Sequence, residues 1–208
     1  MKIKKEWIFI SLAIILMTII LMSKEKIPVL NSLIYSILII LISILGKNLT
    51  AHVRHIEIKH EVWKFKQFWF WTMAHFKKPI PVGVILPLLF AIPTAGGSLY
   101  SMFPAFLQYK SKALPSKVSK RLSNWRYAEI MEWDLALISF FGFAFLIILS
   151  LFSFWLGFPI LAKLSLFYAV INAIPISTLD GSKLFFGSFP LYITTLILFA
   201  VNYLIIML

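Results

Sequence analysis

The chain has 208 residues, of which 61% are hydrophobic and 16% aromatic, with 20 Lys/Arg against 8 Asp/Glu and no cysteine. That apolar share far exceeds the roughly 45–50% of soluble domains and excludes an ordinary soluble protein; the missing cysteines exclude disulfides and thiolate metal sites. The net charge of +12 does not point to nucleic acid, because the basic residues fall between apolar runs, where they orient helices and meet anionic headgroups.

The pattern predicts an all-α integral membrane protein, one multi-span helical bundle over residues 1–208. Residues 7–22 form a first span after the basic start Lys2, Lys4 and Lys5. No small-residue cleavage site follows, so this is an uncleaved helix with its N-terminus cytoplasmic. A second span covers residues 28–46, opening on Pro28, which a first helical turn tolerates. Two crossings return the chain to the cytoplasm. Residues 47–78 agree, with seven Lys/Arg against Glu57 and Glu61.

Within that interfacial segment, residues 56–71 alternate at period two, which predicts a short strand or interfacial hairpin. Trp63, Phe65, Phe68, Trp69, Phe70 and Trp71 with interleaved lysines make an aromatic belt at headgroup level, in preference to a nucleic-acid surface. Residues 79–109 are apolar but carry Pro79, Pro81, Pro87, Pro93 and Pro104 and the pair Gly96–Gly97. They predict a re-entrant hairpin, since residues 110–126, with six Lys/Arg and no acid, also belong on the cytoplasmic side. Glu129, Glu132 and Asp134 suit the first turn of a span over residues 135–156. Residues 161–187 and 191–208 complete the bundle.

The chemistry concentrates at Asn172-Ala-Ile-Pro175-Ile-Ser-Thr-Leu-Asp180-Gly181. An ionisable group at membrane depth costs about 2.5–3.5 kcal/mol on insertion scales, so Asp180 is a candidate functional residue; the alternative is a carboxylate at a helix end, exposed or paired with Lys183. The histidines are at 52, 55, 60 and 75. His52 and His55 share a helix face if the second helix extends that far.

The segment N-x-x-P-x-x-x-L-D-G resembles the second signature of the site-2 protease family of intramembrane zinc metalloproteases, where it supplies an aspartate ligand. The resemblance implies that family's membrane bundle with a small strand-like hairpin, and spans residues 30–187. It places the family's HExxH at residues 48–52, where Asn48 stands for the first histidine, Leu49 for the general-base glutamate, and His52 for the second histidine. The family's Gly-Pro pair is absent at Ser139-Phe140. Without a general base, rates fall typically by ~10²–10⁴. The expectation is a catalytically degenerate relative that binds a membrane protein segment or a lipid beside Asp180, in the plasma membrane, and no nucleic acid. The competing expectation is an active zinc metalloprotease with His52, His55 and Asp180 as ligands and Glu57 as base. A transporter fits less well, because the spans lack several interior ionisable groups.

Overall fold

Apolar runs bounded by proline, glycine or charge become helices along most of this chain. The computed structural model describes residues 2–25, 28–67, 75–91, 107–113 and 130–207. Phe68 to Trp71, the Gly96–Gly97 pair, the basic residues 117–126 and Glu129 lie outside the described residues.

Helix α1 spans Lys2–Glu25 and α2 spans Val29–Val53. Pro28 precedes α2 in an extended conformation and its carbonyl accepts the first helical bond, from Ser32 N at 3.0 Å. No proline interrupts α2 after its start, so the helix continues past residue 46 and carries Lys47, Asn48 and His52. His55, at φ 55°, turns the chain out of the helix.

Strand β1 (Ile56–Val62) follows, then β2 (Phe65–Gln67), β3 (His75–Ile80), helix α3 (Val82–Ala91) and β4 (Leu107–Ala113). β1 pairs antiparallel with β4, from Ile56 opposite Ala113 to Val62 opposite Leu107. β2 pairs with β3 across a register irregularity. Lys110 and Lys112, from the basic stretch expected on the cytoplasmic side, therefore stand in a strand. The pairing joins segments some fifty positions apart, which local alternation cannot reveal.

Helix α4 (Glu132–Trp155) is the centre of the bundle and packs on α2, on α5 (Pro159–Asn172), on α6 (Asp180–Gly187) and on α7 (Phe189–Met207). Gly157, at φ 80°, makes the turn into α5. Buried Ala136, Ser139, Gly142, Ser150 and Ser153 line α4, small residues of the kind that let helices approach closely without a hydrophobic driving force. On α2, a Cβ added at Gly46 would stand 2.9 Å from the carbonyl oxygen of Phe141. Phe143 and Phe199 meet edge to face at 5.8 Å, fixing α7 on α4.

Helices α2, α4 and α7 are long and apolar enough to cross a membrane; residues 6–22 of α1 and the whole of α5 are shorter apolar helices. Leu30, Ile148, Phe152, Trp155, Ile197 and Leu204 all stand exposed. So much exposed apolar surface is compatible with a helical membrane protein. Residues 161–187 are not one helix: residues 173–179 break it, and Pro175, which has no N–H to donate, stands in the break.

Candidate functional site

Asn172 ends α5, and its side-chain amide donates back to the Tyr168 carbonyl at 2.8 Å. Beyond Pro175, Ile176 N donates to Ile174 O at 2.8 Å and Ser177 adopts φ 52°. The Ser182 hydroxyl reaches the carbonyls of Ser177 and Leu179, each at 2.7 Å, and ties the start of α6 to the turn before it. Gly181 is required here, because a Cβ would overlap the carbonyl oxygen of Ala173. The signature's asparagine, proline and glycine thus fold α6 back on the end of α5, and Asp180, in the first turn of α6, becomes completely buried.

A buried carboxylate needs compensation. It comes from two ammonium groups. Lys47 Nζ forms an ion pair with Asp180 Oδ2, and the lysine side chain is itself 4% exposed. Lys183 Nζ lies 3.9 Å from Asp180 Oδ1, one turn further along α6. Among the described residues no donor meets either carboxylate oxygen with hydrogen-bond angles, so the compensation is chiefly ionic. Lys47 reaches Asp180 past Gly142, where a Cβ would stand 2.9 Å from its Cγ and Cε.

Strand β4 closes the other side. Lys183 Nζ donates to the Tyr109 carbonyl at 2.6 Å and sits 3.2 Å from the centroid of that ring, a cation–π contact. The Tyr109 hydroxyl donates to Leu135 O at 2.9 Å and lies 2.9 Å from Ser139 Oγ. Burial, reinforced by the Asp180 charge, holds this phenol well above its usual pKa. Thr178 donates its hydroxyl proton to Gln108 Oε1, tying β4 to the turn before α6.

His60 on β1 is 1% exposed. Burial first, then the Lys47 charge, pushes its pKa down to about 3, against an opposing pull from Asp180. Its Nε2 lies 3.4 Å from Asn48 Oδ1, while its backbone N–H donates to Glu6 at 3.0 Å.

Of the expected ligands and base, Asp180 lies in this site, and the others lie at the end of α2, in the turn after it and on β1. His52 is exposed on the last turn of α2, and Leu49 beside it is 53% exposed. His55 is half-buried in the turn after α2. Glu57 pairs with Lys59 at 2.9 Å on β1. Among the described residues no three His, Cys, Asp or Glu side chains converge as a metal would need. The groups beside Asp180 are lysine amines, which have no lone pair to give a zinc ion while they carry their proton, so they are a poor donor set for zinc.

Lys47 was the residue hardest to single out from sequence, where it counts as the first of a basic stretch. A signal existed: Ser32, Ser36, Ser43 and Lys47 recur at helical spacing on the buried face of α2. His52 points elsewhere because each residue turns the helix by about 100°, while Asn48 reaches His60.

Fold and site together define a mostly helical protein with, among the described residues, three helices able to cross a membrane and a buried aspartate held between two lysines. Among known proteins, no family model, no curated protein and no solved structure matches the chain.

Proposed function

We propose that this is an integral membrane protein built on the plan of the site-2 proteases, with an ammonium group where the proteases carry their metal. The observation that carries the reading is the ion pair of Lys47 with Asp180, at the aspartate the resemblance marks as a zinc ligand. In this proposal Asp180 is a structural counter-ion and the protein binds without cleaving. Its ligand is a membrane protein segment or a lipid, received in the hollow of about 250 Å³ beside Lys183, between Leu135, Thr178 and Phe186. The basic stretches at 47–78 and 110–126 support a cytoplasmic N-terminus, and the membrane of this proposal is the plasma membrane.

The test is elemental analysis of the detergent-purified protein, combined with cleavage of a reconstituted transmembrane substrate with and without chelator. The expected outcome is no stoichiometric zinc and no chelator-sensitive cleavage, in wild type as in Asp180→Asn. One zinc per chain, with cleavage that Asp180→Asn abolishes, would overturn the reading in favour of the His52, His55 and Asp180 enzyme; Glu57→Gln would then test the base. Single cysteines at positions 59 and 117 should label from the same side of the membrane, and opposite labelling would break the proposed topology.

A further inference from the structure

A second hollow lies between α5 and α7. Its volume is about 460 Å³, and Leu166, Val170, Phe199, Ile206 and Met207 line it together with Lys163 and Tyr203. Lys163 is the one charged residue between Asp134 and Asp180 in the sequence. Among the described residues no carboxylate pairs with it. A lone cation in an apolar helix is costly unless it reaches an interface or an anion. Lys163 stands in the second turn of α5 and is the lining residue nearest the start of that helix, so it marks one end of the hollow along α5. Val170 lies about 10 Å further down α5, at 1.5 Å per residue.

We infer that this groove holds an acyl chain of an anionic phospholipid whose phosphate meets Lys163. The groove is apolar along its length and cationic at one end, which matches the polarity of such a lipid. The inference rests on the membrane reading and is independent of what Asp180 does.

The full chain is purified, delipidated and returned to nanodiscs of phosphatidylcholine containing increasing phosphatidylglycerol, and retained lipid is counted by native mass spectrometry. Wild type should retain phosphatidylglycerol over phosphatidylcholine. Lys163→Gln should lower that preference roughly fivefold, the size of one lysine's attraction to an anionic surface. Lys163→Arg should keep it. Ala200→Phe, at an exposed position of the lining, should fill the groove and abolish retention of either lipid at this place. Equal retention of both lipids by wild type, or a preference unchanged in Lys163→Gln, overturns the inference. The natural chain has no cysteine, so a single Ala200→Cys gives a further arm. Efficient disulfide dimerisation through it in the bilayer would assign the groove to a second copy and likewise overturn the inference.

Discussion

Asp180 and Asp134 occupy the same kind of position, the first turn of a helix, and both are buried, yet they are stabilised in different ways. Asp134 faces Arg54 at 3.7 Å, and that arginine is 40% exposed, so water shares the work. Among the described residues Asp180 has no well-exposed partner: the Lys47 side chain is 4% exposed and the Lys183 side chain 16%. Position at a helix start therefore does not separate a rim carboxylate from an interior one. The burial of the cation does, and with it the glycines that make room for that cation. A half-exposed pair contributes little net stability, whereas removing one partner of a buried pair strands a charge.

The largest contrast should come from Gly181→Ala. A methyl group there overlaps the Ala173 carbonyl and displaces the start of α6, so folding should weaken by at least about 4 kcal/mol, with little folded protein recovered from detergent. Normal yield and melting temperature would show that the turn is not what buries Asp180.

Lys47→Met comes next. It leaves Asp180 with Lys183 alone and should cost about 3–5 kcal/mol in unfolding of the solubilised protein. The double variant Lys47→Met/Asp180→Leu should recover much of that loss. Additive losses in the pair would mean that the two side chains are not coupled. Gly142→Ala bears on the same contact: its cost, about 1–3 kcal/mol, should shrink in a Lys47→Ala background.

His60 adds a pH signature to the interior site. Its folded pKa of about 3 lies below the ordinary 6.5, so between those values the unfolded chain binds a proton that the folded chain refuses. Its contribution is full above about pH 6.5 and is lost as pH falls through that window toward 3. His60→Gln should flatten the dependence of melting temperature on pH over this range. An unaltered slope would place the proton uptake elsewhere.

The smallest effect belongs to Arg54→Gln at the rim, within about 1 kcal/mol and diminishing in high salt. A loss as large as that of Lys47→Met would erase the distinction between the two carboxylates.

Much of this architecture was legible in the residues. Apolar run lengths located α2, α4 and α7, and alternation located β1, because helix and strand periods are local properties. The motif 172–181 drew attention to Asp180, and Lys183 was foreseen as a partner three positions on, a local spacing. Lys47 and Tyr109 were not foreseen as its neighbours. Their approach depends on which face of α2 meets α4 and on β4 crossing back to β1, and both are long-range facts. His52 shows the reverse limit: its place in the resemblance to HExxH suited a ligand, but five positions past Lys47 it has rotated out to the surface.

The Lys47–Asp180 pair also has a consequence in time. A chain made and inserted from its N-terminus delivers the lysine about 130 residues before the aspartate. At roughly 5–20 residues per second, the cation waits on the order of ten seconds for its counter-ion. Its place in the last two turns of α2 suits that wait, since a lysine near a helix end can extend its ammonium to headgroups and water until α6 arrives. The same charge at Ile39, in the middle of the helix, would have nowhere to wait, and α2 would be held back from inserting until its partner existed.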